Sequence, residues 1–271
     1  MPELPEVETT LRGLVAPILN KRIEHVVVRC SQLRWPIPNN LSILLENQTV
    51  RHLSRRAKYL LVHFDTGKLI IHLGMSGRLC FLTASQSPQR HDHVDIIFEN
   101  GILRYTDPRR FGSILWTADE PSLHPLLKNL GVEPLSNLFT AEYLLQYKNN
   151  RRVAIKSFIM DASVVVGVGN IYAAEALFMA KIHPELPVNL MTFRQAECLV
   201  DAIKQILTKA IVRGGTTLKD FVNSEGRPGY FSQELNVYGR AGLPCVICSE
   251  PLHTKRLGQR STVYCPRCQE H

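Results

Sequence analysis

No run in the 271-residue sequence approaches the roughly 18 consecutive apolar residues that a membrane-spanning helix needs, and no low-complexity tract or internal repeat is present. The opening segment, MPELPEVETT, lacks the basic flank and apolar stretch of a secretory signal, so a cytoplasmic location is the expectation. Cysteine is sparse over most of the chain. Cys30, Cys80 and Cys198 stand apart in apolar surroundings and read as small buried hydrophobes rather than ligands. Acidic charge is also in deficit: 24 Asp and Glu face 32 Lys and Arg, a net charge of +8 that favours a polyanion over an acidic small molecule as partner.

The excess cations are grouped. Arg51, Arg55 and Arg56, then Arg109 and Arg110, then Arg151 and Arg152 all sit beside apparent turns. Any one group reads as a solvated face; together they favour phosphate contacts, which dominate DNA affinity through counterion release. Along the chain, Val7, Leu11, Leu14 and Val15 form one helical face, with Pro5 and the glutamates suited to its first turn. From about 22 to 118 the apolar period becomes two. Segments 59–64 and 68–73 flank Asp65-Thr66-Gly67, and 95–99 and 102–105 flank Asn100-Gly101, both hairpin patterns. Hairpins without intervening helices predict antiparallel sheets, arranged as a sandwich. From about 135 the pattern turns helical, over 141–147, 154–160, 170–180 and 192–212, and ends at Gly214-Gly215. Residues 216–240 read as a polar loop, with Gly226, Pro228 and Gly229 as breakers.

Three features carry chemistry. Cys245-x2-Cys248-x16-Cys265-x2-Cys268 has the spacing of a four-thiolate zinc site; disulfides are the alternative, disfavoured in a cytoplasmic chain. Four protein ligands leave no open position, so this ion, one per chain, is structural, and in a module of about 30 residues it supplies much of the folding energy. Residues 257–263 between the cysteine pairs form a hairpin with Arg260 near its tip. Second, loss of Met1 would leave Pro2 with a secondary amine at the terminus. An α-amino group has a pKa near 8, so roughly a tenth is unprotonated at neutral pH and able to attack a sugar C1′. Glu3 beside it can protonate the ring oxygen, although Pro2-Glu3 alone carries little weight. Third, Gly167-Val168-Gly169-Asn170 opens a helix, where free N–H groups favour an anion; a plain capped helix start is the commoner explanation.

PELPEVETT at the terminus resembles the opening of formamidopyrimidine-DNA glycosylases. So, in order, do RAKYL (56–60), HLGMSG (72–77), DPRRFG (107–112), VVGVGNIYAAE (165–175), GGTTLKDFVNSEGRPGYFSQELNVYG (214–239) and the cysteine module, a similarity that covers essentially the whole chain. The resemblance implies an α+β protein with three parts. These are an amino-terminal antiparallel β-sandwich with flanking helices (1–118), a helix–two-turns–helix DNA-binding domain (135–240) after a linker (119–134), and a zinc finger (241–271), with DNA in the cleft between. It implies excision of 8-oxoguanine and formamidopyrimidine lesions through a Schiff base on Pro2, then strand cleavage by β- and δ-elimination. Glu3 is the acid and Lys58 a proton donor in elimination; Arg260 grips the phosphate and assists the second elimination. Asn170 binds the lesion phosphate with Lys58 and Arg260.

A base everted from a duplex leaves a gap. The resemblance assigns its filling to Met75, Arg109 and Phe111, of which Met75 and Phe111 would otherwise be core residues by default. It adds His91, Arg151 and Arg152 as DNA contacts. Loop 216–230, with Thr216, Thr217 and Tyr230, becomes the lesion-recognition segment, and Glu6 and Lys156 line its pocket. The implied partner is double-stranded DNA containing oxidised purines or abasic sites, met by a monomeric bacterial enzyme associated with the nucleoid. Ala162-Ser163 departs from the family, whose members commonly place an amide and a lysine there, which puts a local hydrogen bond in doubt. The rival readings are an endonuclease VIII-like enzyme acting on oxidised pyrimidines and a zinc-stabilised DNA-binding protein without catalysis. Leu4, Val7 and the full-length 216–230 loop argue against the first. Pro2, Glu3, Lys58 and Arg260 occurring together argue against the second.

Overall fold

Proline and glutamate in a first turn followed by an apolar stripe produce a helix, α1 (Leu4–Ile18), that buries Leu4, Val7, Leu14 and Ile18. Leu11 packs on the same core, and Val15 is half-buried. Eight strands follow: β1 (Ile23–Val28), β2 (His52–Arg56), β3 (Tyr59–His63), β4 (Lys68–His72), β5 (Arg78–Leu82), β6 (Asp92–Phe98), β7 (Gly101–Thr106) and β8 (Ser113–Thr117), with the short helix α2 (Leu41–Leu45) between β1 and β2. The computed structural model describes residues 2–84, 86–216 and 231–270.

The strands form two antiparallel sheets, ordered β1-β6-β7-β5 and β2-β3-β4-β8. One buried cluster draws Val26, Leu79, Ile96 and Leu103 from the first sheet and Leu53, Leu60, Ile71 and Ile114 from the second, closed by Val7 and Leu14 of α1 and by Leu41 and Leu45 of α2. This is the expected sandwich, each such side chain contributing about 1.5–3 kcal/mol by leaving water. Two details differ from the sequence reading. The turn between β6 and β7 is Glu99-Asn100, while Gly101 opens β7 opposite Phe98. Glycine is needed there for close approach: a Cβ would lie 2.4 Å from the Leu82 carbonyl oxygen of β5. Helix α2 was not foreseen, because five residues are too few to show a helical period.

The chain divides into two compact units, Met1–Lys128 with Arg213–Ser232, and Asn129–Val212 with Gln233–His271. In the second, α3 (Ala141–Lys148) starts at Thr140, whose hydroxyl accepts the Tyr143 N–H at 3.2 Å. Helices α4 (Ile155–Ile159), α5 (Asn170–Met179) and α6 (Phe193–Val212) follow. Helix α6 is amphipathic, burying Ala196, Leu199, Ile203, Ile206 and Ala210. Helix α5 is buried from Ile171 through Phe178, the mark of a central helix. Strands β9 (His253–Leu257) and β10 (Arg260–Tyr264) form the hairpin between the cysteine pairs. Val237, Leu252 and Val263 pack there with Cys245 and Cys265 against Ala174 and Phe178, so the module also draws on α5 for its core. No helix among the described residues is long and apolar enough to cross a membrane.

The three scattered cysteines are not buried, contrary to the sequence reading: Cys198 is exposed, and Cys30 and Cys80 are partly so. Cys198 falls between the buried positions of α6, and Cys80 lies on the edge strand β5.

Candidate active site and metal centre

Pro2 is buried and Glu3, 2% exposed, caps α1. The Glu3 N–H donates to Glu6 Oε2 at 2.8 Å, and the other oxygen of the same carboxylate accepts the Thr216 N–H at 2.7 Å. Glu6 is 1% exposed, and its charge sits at the positive end of the helix dipole. Gly215 makes this possible. Its φ is +82°, and a Cβ would lie 3.1 Å from Glu6 Oε1. One carboxylate therefore ties the start of α1 to the start of the 216–230 segment. Of the residues expected in that segment, Thr216 is buried, whereas Thr217 and Tyr230 lie outside the described residues.

Lys58 occupies a two-residue turn between β2 and β3 behind Ala57, whose φ is +54°. Arg55 fixes this turn by donating to the Ala57 carbonyl at 2.8 Å and to Glu8 of α1 at 3.0 Å. Burial works against the Glu8 charge, yet the Arg12 and Arg55 guanidiniums hold its carboxyl below the usual range. The Lys58 charge is felt by His72. Burial first, then Lys58 and Arg34, push that imidazole down to about 4, against the opposing pull of Asp107. His72 is thus neutral at physiological pH and accepts the Gly74 N–H at Nδ1 (3.0 Å).

Met75 lies in the turn from β4 to β5, and Arg109 and Phe111 in the loop from β7 to β8. The structure brings them together. Gly74, with φ +62°, is so close to the second loop that a Cβ would fall 2.4 Å from the Phe111 carbonyl carbon. Phe111 is 44% exposed, too open for a core residue, with the Arg109 guanidinium 4.6 Å above its ring. His91 is half-buried beside His93, and its carbonyl accepts the Asp107 N–H at 3.0 Å.

In the second unit Asn170 is the first residue of α5, and its side chain bridges two neighbours. Oδ1 accepts from Lys156 Nζ at 2.7 Å, and Nδ2 donates to the Ser261 carbonyl of β10 at 3.1 Å. Lys156, expected along the lesion pocket, is 1% exposed. Its ammonium also donates to Thr262 Oγ1 at 2.8 Å and the Ser261 carbonyl at 3.3 Å, so it braces the strand that Arg260 begins. Arg260 itself is exposed next to a turn at Gly258, whose φ is +56°. Arg151 and Arg152 are exposed, Arg151 within 3.6 Å of Asp161. At the divergent Ala162-Ser163, the Ser163 N–H and hydroxyl both donate to Asp161 Oδ1, at 2.9 and 2.7 Å, which supplies a local hydrogen bond of its own.

The four cysteine sulfurs lie within 4.8 Å of one another, with Cys245 and Cys268 3.9 Å apart and Cys248 and Cys265 3.5 Å apart. A tetrahedral ion at a zinc–sulfur distance of about 2.3 Å requires sulfurs about 3.8 Å apart, so these residues fit a structural metal. The Ile247 N–H points at Cys245 Sγ (3.4 Å) and the Cys268 N–H at Cys265 Sγ (3.3 Å), donors that suit thiolates.

Two buried carboxylates escaped the sequence reading as individual groups. Asp107, wholly buried, bonds across both loops described above. Glu175 of α5 accepts four donors from Asn236, Val237 and Tyr238 at 2.8–3.1 Å, fixing the strand of chain that enters the cysteine module. Each lay inside a recognised motif, but the Ser76 partner of Asp107 and all the partners of Glu175 are distant in sequence.

A sandwich led by a helix with glutamates buried at its first turn, a helical unit, and a four-thiolate module define a class of zinc-finger DNA-repair glycosylases. Comparison with known families agrees along nearly the whole chain. Residues 1–114 match the formamidopyrimidine-DNA glycosylase N-terminal domain, 130–222 the H2TH domain of the same family, and 242–270 the zinc finger found in FPG and IleRS. The formamidopyrimidine-DNA glycosylase of Methylococcus capsulatus is 54% identical over 270 residues, covering 99% of this chain and all of that one. Among solved structures, the MutM (Fpg) protein of Thermus thermophilus superposes with a TM-score of 0.89 at 36% identity, over 99% of this chain and 98% of that one. Lactococcus lactis Fpg in complex with DNA containing N7-benzyl-Fapy-dG gives 0.92 at 33% identity, with both chains fully covered. The chain belongs to the formamidopyrimidine-DNA glycosylase family, enzymes of DNA repair.

Proposed function

We propose that the protein excises 8-oxoguanine and ring-opened formamidopyrimidine purines from duplex DNA and then cleaves the strand at the resulting abasic site. The observation that carries this reading is the Glu6 carboxylate, which holds Pro2-Glu3 and Thr216 in one buried cluster at the head of α1. With Met1 removed, the Pro2 nitrogen attacks C1′ while Glu3 protonates the ring oxygen. The N-glycosidic bond breaks, and the base leaves with its bonding electrons and takes up a proton. The nitrogen loses its own proton, and its lone pair then opens the C1′–O4′ bond, whose electrons go to the protonated ring oxygen, leaving an iminium between Pro2 and C1′. The iminium then acidifies the adjacent carbon, so that the 3′ and 5′ phosphates depart in successive β- and δ-eliminations and leave a one-nucleoside gap. Lys58 donates a proton during elimination. Arg260 and Asn170 hold the lesion phosphate, an assignment supported by the exposed guanidinium at a hairpin tip and the amide at the first residue of a helix. Met75, Arg109 and Phe111 fill the gap left by the everted base, with His91, Arg151 and Arg152 on the backbone. Residues 216–230 are the lesion-recognition segment.

One zinc ion per chain, held by Cys245, Cys248, Cys265 and Cys268, is structural, since four thiolates leave it no open position. The same reading divides the chain into a catalytic sandwich (1–118), a DNA-binding helical domain (135–240) and the finger (241–271), acting as a cytoplasmic monomer on nucleoid DNA. Borohydride trapping on a duplex with 8-oxoguanine opposite cytosine, followed by mass spectrometry, tests it. A reduced crosslink at Pro2 is expected, and Pro2→Gly should lower excision at least 1,000-fold while binding stays within about threefold. Trapping on oxidised pyrimidines alone, or binding with no trapped adduct, would overturn the substrate or the chemistry.

A further inference from the structure

We propose that Asp107 is the positioning residue that locks Met75, Arg109 and Phe111 into one rigid probe of the base stack. This deepens the reading of those three as the gap-filling side chains and rests on it. Asp107 directly follows β7 and is 0% exposed. Its Oδ1 accepts from the Ser76 hydroxyl at 2.8 Å and the Arg109 N–H at 3.3 Å; its Oδ2 accepts from the Gly112 N–H at 2.9 Å and the Tyr105 hydroxyl at 3.3 Å. The Ser76 oxygen, whose hydroxyl donates to Asp107, also accepts from the Arg109 N–H, at 3.3 Å. The residue after Met75 and the residues on either side of Arg110-Phe111 are thereby tied to one carboxylate.

The glycines between them allow no slack. A Cβ on Gly74 would meet the backbone of Phe111 and Gly112 at 2.4–2.7 Å, and one on Gly112 would meet the Tyr105 hydroxyl at 1.8 Å. Arg110 holds φ +55° inside the same loop, a conformation costly for a side-chain-bearing residue unless its surroundings impose it. Beneath the carboxylate, His93 Nε2 contacts the Asp107 carbonyl at 2.7 Å, so main chain and side chain are both fixed. Its carboxylate is spent on Ser76 of one loop, Arg109 and Gly112 of the other, and the Tyr105 hydroxyl of β7. Its effect is therefore on insertion into the stack, upstream of the chemistry.

Stopped-flow fluorescence of 2-aminopurine placed next to 8-oxoguanine reads unstacking, and single-turnover cleavage of a duplex with a preformed abasic site reads the later chemistry. Asp107→Asn keeps the shape but turns an amide donor toward donors that need an acceptor. It should slow the unstacking phase at least tenfold and leave abasic-site cleavage within about threefold of wild type. Ser76→Ala, which removes one partner, should slow the same phase about threefold and be non-additive with Asp107→Asn; it also serves if the aspartate variant folds poorly. Equal losses in both assays, or unstacking at the wild-type rate in both variants, would overturn the proposal. Met75→Ala and Phe111→Ala separate the two failures. If these also leave unstacking unchanged, the gap-filling assignment falls; if they slow it while Asp107→Asn does not, only the role of Asp107 falls.

Discussion

The two units hold their working side chains by opposite electrostatic devices. In the sandwich unit the candidate groups ride on turns and a helix start, where backbone N–H groups must be gathered, and a buried carboxylate gathers them: Glu6 for Glu3 and Thr216, Asp107 for the loop from β7 to β8. In the helical unit Asn170 and the strand begun by Arg260 present oxygens, and a buried ammonium, Lys156, collects three of them. Glu175 shows that the polarity follows the task and not the unit, since it takes N–H donors on the helical side. A buried charge persists only when its hydrogen bonds are complete, so each of these groups fixes the position of whatever completes it.

The largest effect is expected at the thiolates. Cys248→Ser should release the metal, read by a chromogenic chelator, and weaken DNA binding at least 100-fold, because structural zinc contributes on the order of 10 kcal/mol to small modules. The sandwich core should survive this change and give a separate unfolding transition by calorimetry. Next, Glu6→Gln should cost roughly 2–3 kcal/mol in chemical denaturation, since an amide can accept only one of the two N–H donors well. Lys156→Met should cost about 1–3 kcal/mol while zinc content stays whole, and should weaken DNA binding several-fold through Asn170 and β10. A Lys156 variant with wild-type binding would mean that the brace does not set the groups proposed to bind phosphate.

The smallest effect is one of pH. The His72 imidazole is held down to about 4 in the folded chain, against about 6.5 when unfolded, so the unfolded chain takes up its proton first on acidification. Stability should therefore fall as pH drops from about 6.5 toward 4, by roughly 3 kcal/mol from this group, and be unaffected by it above 7. Titrating the unfolding midpoint of the wild type against His72→Asn should show that slope in the first and lose it in the second.

Much of this was legible in the sequence, for identifiable reasons. The cysteine spacing specified the thiolate cluster because each pair comes from one tight turn. The change of apolar period from two to 3.6 marked where strands give way to helices. The Asn100-Gly101 turn was misplaced by one residue because Gly101 serves a neighbouring strand instead of the turn. The contacts of Asp107 with Ser76, Glu175 with Asn236 and Lys156 with Thr262 could not be read from local pattern, since these partners lie 31, 61 and 106 residues away. Cys198 misled because its apolar neighbours point to the core while it does not.

The sandwich unit is discontinuous along the chain, with the whole stretch Asn129–Val212 inserted before Arg213–Ser232 returns to it. During synthesis, at about 5–20 residues per second, the strands and α1 are out of the ribosome several seconds before Thr216 exists to bond Glu6. A nascent or truncated chain can thus fold its β-sheets without finishing the cluster around Pro2 and Glu3. Ribosome-bound intermediates that end before residue 216 carry the proposed nucleophile in an unassembled setting, and the completed site is a property of the nearly full-length chain.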